Sequence, residues 1–108
     1  MTLDHARRLA AIVLQQLRPY CLTFEPVGQI ANNEKYVARI EFECSPRMYP
    51  IIGKIDEFER SPDFVRLIRK NKLIIGNPRT SDTIVFEMDL RDYPSIAENT
   101  VEVELRIV

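Results

Sequence analysis

Charged residues occupy every second position in two segments of the chain, and their types could bind a metal ion or a charged partner. The first segment contains Arg39, Glu41 and Glu43, and the second contains Glu102, Glu104 and Arg106. In a β-strand, residues two apart point to the same side of the sheet, so each segment would present its charges on one face. Carboxylates grouped in this way are typical ligands of divalent cations.

The sequence leaves three interpretations of this face open. It could be a solvent-exposed face with cross-strand charge pairs, each contributing only about 0.2–1 kcal/mol. It could instead bind another protein. It could also keep a reduced site for one metal ion or a nucleotide around Glu41, Glu43 and Glu104.

The spacing of apolar residues predicts the elements that position these charges. Residues 3–18 have an apolar stripe at helical spacing, and Thr2 and Pro19 mark the start and end of an amphipathic helix. A short strand then runs into Gly28, and Asn32-Asn33 marks a turn. From Tyr36 the apolar period changes to two. The predicted core face of this strand contains Tyr36, Ala38, Ile40, Phe42 and Cys44, with Val37 on the charged face.

The second half predicts a further helix and three more strands. Residues 45–60 are interpreted as a loop that could include a short helix, and Ser61-Pro62-Asp63 starts a helix that ends near Asn71. Residues 73–75, 84–90 and 101–108 are predicted strands, the last with Val101, Val103, Leu105 and Ile107 facing inward. The prediction is one α/β domain of the α+β type, residues 1–108. Its mixed sheet of about five strands carries two main helices on one face.

Composition limits the possible functions. Hydrophobic residues make up 45% and charged residues 29%, as in folded globular proteins. We expect a cytoplasmic protein without membrane contact, because no apolar run approaches about 20 residues and the N-terminus lacks a secretory pattern. The net charge of −1 is not the basic excess typical of nucleic-acid binding. Weak nucleic-acid contact would use a basic run near the end of the second helix: Arg66, Arg69, Lys70 and Lys72.

The other reactive side chains do not form a catalytic arrangement. His5 is the sole histidine and lies in the first turn of a helix. Cys21 and Cys44 lack metal-ligand spacing and are predicted to be buried, reduced thiols. The acidic residues of 56–59 are interpreted as solubilising. We therefore expect no metal and no cofactor.

The first 44 residues resemble a known family. From Gly28 the chain reads GQIANNEKYVARIEFE, which is similar to the motif G-S-x-R-R-x-K-x-x-V-x-D-I-E-I-V of polymerase-beta-like nucleotidyltransferases, notably small members from phages and mobile elements. The two align without a gap. The alignment depends on Gly28, Ile30, Val37, Ile40 and Glu41. The resemblance implies a nucleotidyltransferase-like fold in which Glu104 takes the place of a third carboxylate.

The residues that carry this family's chemistry are replaced. The family uses a serine and arginines for the triphosphate, and three carboxylates for two magnesium ions. Here Gln29 replaces the serine, Ala31 and Asn32 replace the arginines, and Arg39 replaces the first metal carboxylate. This charge reversal about 4 Å from a divalent ion costs up to roughly 16 kcal/mol at an effective dielectric near 20. We predict a pseudoenzyme with no catalytic residues and a vestigial site at Gly28, Gln29, Arg39, Glu41 and Glu104.

The predicted function is therefore binding, by a non-catalytic protein-interaction module. Analogy with the small relatives suggests an inhibitor or modulator of a host enzyme. Candidate partner-binding residues lie beside the altered site: Gln29, Asn32, Asn33, Arg39 and Tyr49. Residual nucleotide or metal binding and weak nucleic-acid binding are the alternatives. If the C-terminal strand lies at a sheet edge, it could also form a homodimer by strand pairing.

Overall fold

The computed structural model describes residues 1–46, 72–75 and 83–108, with side chains for 1–45 and 83–108. Its elements, in chain order, are α1 (Leu3–Leu17), a 3-10 turn (Arg18–Tyr20), β1 (Cys21–Val27), α2 (Gly28–Ala31), β2 (Arg39–Pro46), β3 (Lys72–Ile75), β4 (Thr83–Asp89) and β5 (Thr100–Ile107).

Helix α1 forms where its caps and apolar stripe predict it. The side-chain oxygen of Thr2 accepts a hydrogen bond from the backbone N–H of His5 at 3.3 Å, and Asp4 lies in the first turn. Both features stabilise a helix N-terminus. The buried stripe consists of Ala6, Leu9, Ala10, Val13 and Leu17. The predicted helix over 3–18 is confirmed.

The strands form one mixed sheet in the order β1-β2-β5-β4-β3. β2 and β5 are parallel, whereas β1–β2, β5–β4 and β4–β3 are antiparallel pairs. β3 is described by its backbone alone. The predicted mixture of helix and strand with a mixed sheet is confirmed.

β5 lies inside the sheet, where it hydrogen-bonds to β2 on one side and to β4 on the other. The predicted homodimer through the C-terminal strand required an edge position and is therefore wrong. Both rows of backbone hydrogen-bonding groups of β5 are used within the chain, so none is left to pair with a copy.

The start of β2 also differs from the prediction. Tyr36 is 67% exposed and Ala38 is exposed, whereas Val37 is fully buried, so their predicted faces are wrong. Tyr36 forms a bridge with Thr2, and the Val37 N–H donates to the Met1 carbonyl at 2.8 Å. These contacts attach residues 36–37 to the N-terminal segment, so the strand alternation begins only at Arg39.

The core lies between α1 and one face of the sheet. Ile40, Phe42 and Cys44 of β2 are fully buried, as predicted, and the rings of Phe24 and Phe42 lie 4.8 Å apart. β4 and β5 contribute seven further buried side chains to this core: Ile84, Phe86, Met88, Val101, Val103, Leu105 and Ile107. The predicted inward faces of both strands are confirmed.

Several predicted features lie outside the described residues. They are the loop from residue 47 onward, the helix from Ser61, Tyr49, and the basic residues Arg66, Arg69 and Lys70. The backbone of Lys72 begins β3, opposite Glu87. In the described part of the chain, no helix is long and apolar enough to cross a bilayer.

Candidate functional site

The two charged segments meet on the face of the sheet that points away from α1. In the parallel register of β2 and β5, Arg39 lies opposite Glu102, Glu41 opposite Glu104, and Glu43 opposite Arg106. We call these six residues the charged face. The convergence of Arg39, Glu41 and Glu104, on which the vestigial-site hypothesis depends, is thus present.

Glutamates of the neighbouring strands extend the charged face. Glu25 of β1 lies opposite Glu43, and Glu87 of β4 lies opposite Glu102. Like charges directly opposite one another are destabilising in a sheet, so the arginines on this face have a balancing role. Arg106 provides one such contact, because its guanidinium donates to Oε1 of Glu43 at 3.3 Å.

Arg39 makes two ionic contacts on the charged face, and one of them is shorter than the contact of Arg106 with Glu43. Its Nε lies 2.6 Å from Oε2 of Glu102, and a terminal guanidinium nitrogen lies 3.8 Å from Oε2 of Glu104. The Arg39 side chain is 47% exposed, whereas that of Glu104 is only 14% exposed. A cation thus sits between two carboxylates at the position that the family resemblance assigns to a metal ligand.

Gly28 and Glu41 are in direct contact. Gly28 has a φ of +65°, a left-handed conformation that lets the chain turn from β1 into α2. A Cβ at this position would lie 1.8 Å from Oε2 of Glu41, so the carboxylate rests against the glycine backbone. The glycine therefore serves both the turn and the close approach of the carboxylate.

Gln29 ties α2 to the beginning of β2. Its Oε1 accepts hydrogen bonds from the backbone N–H groups of Ala38, at 2.8 Å, and Arg39, at 3.1 Å. These bonds close the loop between the two elements and hold the backbone of Arg39. This structural role was not predicted from the sequence, which indicated only a candidate partner contact.

Residues 31–36 are all exposed and form what we call the exposed turn. Asn33 adopts a φ of 54° and its side-chain oxygen accepts a hydrogen bond from the Arg7 guanidinium. Tyr36 ends the turn, with its hydroxyl donating to Oε1 of Glu98 at 3.3 Å. Sequence reasoning missed Tyr36 as a surface residue. The polar run ends at Lys35, so the residue pattern gave no sign that the strand begins only at Arg39.

The N-terminus contacts the residues that follow the exposed turn. The α-ammonium group of Met1 donates to the Val37 carbonyl at 2.9 Å and lies 3.1 Å from Oε1 of Glu98. The hydrogen bond from this ammonium group is the main cause that holds the pKa of Glu98 below its ordinary value. The exposed turn is thus anchored to both the first residue and the segment before β5.

The site as described consists of the charged face and the exposed turn. It brings together Gly28, Gln29, Arg39, Glu41 and Glu104, with Asn32 and Asn33 in the adjacent turn. Tyr49, Arg66, Arg69 and Lys70 lie outside the described residues. Within residues 1–46, 72–75 and 83–108, no three histidine, cysteine or acidic side chains are arranged to hold a metal ion.

Comparison of the chain with protein-family models, with curated proteins and with solved structures found no match. The similarity to nucleotidyltransferases therefore rests on the motif residues from Gly28 to Glu43.

Proposed function

We propose that this chain is a non-catalytic domain with a nucleotidyltransferase-like fold that binds another protein through the exposed turn and the adjacent end of the charged face. The observation that carries the proposal is the ion pair of Arg39 with Glu102, at 2.6 Å, beside Glu104. This ion pair supports the loss of the metal chemistry found in the family. The exposed turn next to it in the chain supplies a surface that a partner could bind.

The positive charge of Arg39 opposes metal-dependent catalysis. A divalent ion at the family's metal position would lie close to the Arg39 guanidinium. At about 4 Å and an effective dielectric near 20, this contact is repulsive by roughly 8 kcal/mol. Moving Arg39 away would relieve the repulsion but break its contact with Glu102. Metal binding therefore competes with an interaction that the chain already makes.

The exposed side chains that precede Arg39 in the chain favour protein binding. Tyr36 is 67% exposed, and the Arg39 side chain is 47% exposed three residues later. Tyrosine and arginine are the types that most often anchor protein interfaces. Asn32 and Asn33 add amide groups that suit a polar rim. The resemblance to small phage and mobile-element proteins makes a host enzyme the partner class to test.

Affinity capture followed by a binding assay tests the proposal. Tagged wild-type protein is expected to retain a stoichiometric partner from cell lysate, and this partner is then purified. We expect Tyr36→Ala to weaken its binding about tenfold or more, as for an interface anchor. Leu22→Ala is the matched control, because Leu22 is 71% exposed but lies on β1 near the opposite end of β2.

Equal losses of affinity for Tyr36→Ala and Leu22→Ala, with melting temperatures unchanged, would argue against the turn as the binding surface. Failure to recover any saturable partner would argue against the function itself.

Residual nucleotide or metal binding is the second candidate, since Glu41, Glu43 and Glu104 share the charged face. It predicts that a nucleoside triphosphate with magnesium stabilises the protein by about 2.7 kcal/mol at a hundredfold excess over the dissociation constant. A melting-temperature scan measures this directly. A saturable rise would replace the proposed function, whereas an unchanged melting temperature supports it. Salt-dependent binding to nucleic acid would favour the third candidate.

A further inference from the structure

Two cysteines lie side by side on neighbouring strands at the end of the sheet where β1 begins. Cys21 is the first residue of β1 and faces Pro46, so Cys44, two residues earlier on β2, is its diagonal neighbour. The register shift between Cys21 and Thr23 turns Cys21 towards the core, on the same side as Phe24. Both residues are buried, and neither is part of a disulfide.

The two sulfur atoms are in hydrogen-bond contact. The Cys21 thiol donates to the sulfur of Cys44, which lowers the pKa of Cys44 although burial acts in the opposite direction. A disulfide requires a sulfur–sulfur distance of about 2.05 Å, so the two sulfur atoms must approach each other more closely than in the hydrogen bond. The strand register and the contact between the thiols thus place two reactive groups within reach of each other.

One of the two cysteines borders an open cavity. An open cavity of about 510 Å³ lies at the C-terminal end of α1 and is lined by Leu14, Gln15, Arg18, Pro19 and Cys21. Cys21 is 6% exposed, whereas Cys44 is fully buried. A small oxidant entering this cavity would therefore meet Cys21 first, with Cys44 behind it.

We propose that Cys21 and Cys44 form a redox-active dithiol that a small peroxide converts into an intramolecular disulfide. Hydrogen peroxide transfers one oxygen atom to Cys21, giving a sulfenic acid and one molecule of water. The sulfur of Cys44 then attacks the Cys21 sulfur, a sulfur–sulfur bond forms, and a second molecule of water leaves. Two thiols lose two electrons and two protons in total, and the peroxide is reduced.

The bridge would join β1 covalently to β2. β1 has β2 as its single strand neighbour in the described sheet, so it depends on that pairing to stay in place. A disulfide that closes the chain between positions 21 and 44 restricts the unfolded state and raises stability. The oxidised form is therefore expected to melt at a higher temperature than the reduced form.

The test oxidises the folded full-length chain and then maps its cysteines. Reduced protein is treated with a slight excess of hydrogen peroxide in native buffer, denatured, alkylated, and analysed by intact mass and peptide mapping. We expect a monomer lighter by two hydrogen atoms, without alkylation, and a peptide pair linking Cys21 to Cys44. Addition of a dithiol reductant should restore two alkylated cysteines and the lower melting temperature.

Single substitutions assign the two roles. In Cys44→Ser, a sulfenic-acid trapping reagent is expected to label Cys21, whereas in Cys21→Ser the label on Cys44 should be at least about tenfold weaker because Cys44 has no exposed surface. Wild-type mapping does not depend on these variants folding. Two alkylatable thiols after peroxide treatment, or a disulfide between two chains, would overturn the proposal.

Discussion

Arg39 has opposite consequences for two of the interpretations of the charged face, metal binding and protein binding. As a cation paired with Glu102 and close to Glu104, it would repel a divalent ion at the position that the resemblance assigns to metal. As a half-exposed arginine three residues after Tyr36 in the chain, it is also part of the proposed binding surface. The sequence predicted that a cation replaces a metal ligand at this position. The structure shows that Glu102 and Glu104 are the carboxylates that contact it.

Replacing Arg39 by an acid should make the charged face responsive to metal. We expect Arg39→Asp to be less stable than wild type without metal, because Glu102 and Glu104 would then face another carboxylate. A divalent cation such as manganese should reverse this, adding about 1.4 kcal/mol at a tenfold excess over its dissociation constant. Melting temperature against manganese concentration measures the effect.

Arg39→Gln is the matched control, since it removes the cation without adding a ligand charge. The wild type and Arg39→Gln should respond to manganese much less than Arg39→Asp. A wild-type response as large as that of Arg39→Asp would show that Arg39 does not exclude metal.

At the scale of elements, the start of β2 depends on a side chain from α2. Gln29 accepts hydrogen bonds from the N–H groups of Ala38 and Arg39, and Gly28 provides the left-handed turn that brings Gln29 there. The sequence placed these residues close together along the chain. It did not predict that Gln29 would serve the backbone of β2, because a hydrogen bond between residues nine or ten positions apart leaves no periodic signal.

Gln29→Ala should therefore loosen the junction between α2 and β2. We expect a loss of about 1 kcal/mol in the free energy of unfolding, because two backbone donors lose their side-chain acceptor. Gln29→Glu replaces the amide oxygen by a carboxylate oxygen that can accept the same two hydrogen bonds, so it should retain most of the stability. Urea denaturation of the three proteins provides the comparison, and equal losses for both substitutions would contradict this role.

At the scale of the whole molecule, the N-terminus is joined to the segment before β5. The Met1 ammonium group contacts Glu98 and the Val37 carbonyl, and Tyr36 also donates to Glu98. These contacts connect the beginning of the chain, the exposed turn and the approach to the central strand. They also make stability sensitive to the charge of Glu98.

Glu98→Gln should lower the melting temperature near neutral pH but not in acid. The pKa of Glu98 lies below its ordinary value of 4.5, chiefly because the Met1 ammonium group donates to the carboxylate. A lowered pKa contributes stability above the unfolded-state value, and this contribution is lost as the pH falls through the folded-state pKa. The difference in melting temperature between wild type and Glu98→Gln should therefore reach its maximum above pH 4.5 and disappear well below that pH.

Glu34→Gln is the control for this pH series. Glu34 is also an exposed glutamate, and within the described part of the chain it has no ionic partner. Its substitution should leave the melting temperature nearly unchanged at every pH. A Glu98→Gln difference that persists undiminished in strong acid would show that the effect is steric.

The residue pattern alone predicts the local elements that have a periodic arrangement of apolar residues. The stripe of α1 and the alternation in β4 and β5 follow from the need of each element to bury one side, so composition and spacing predict them directly. The altered residues at 29, 31, 32 and 39 of the family motif were equally visible, and with them the prediction that metal chemistry is lost.

The pairing of those elements and the surroundings of each charge depend on how the chain folds. The central place of β5, the late start of β2 at Arg39, and the contact between Cys21 and Cys44 all join residues far apart in the chain. Strand order and register depend on hydrogen bonds between distant backbones. A periodic pattern predicts which face a strand buries, but it does not identify the neighbour with which the strand pairs.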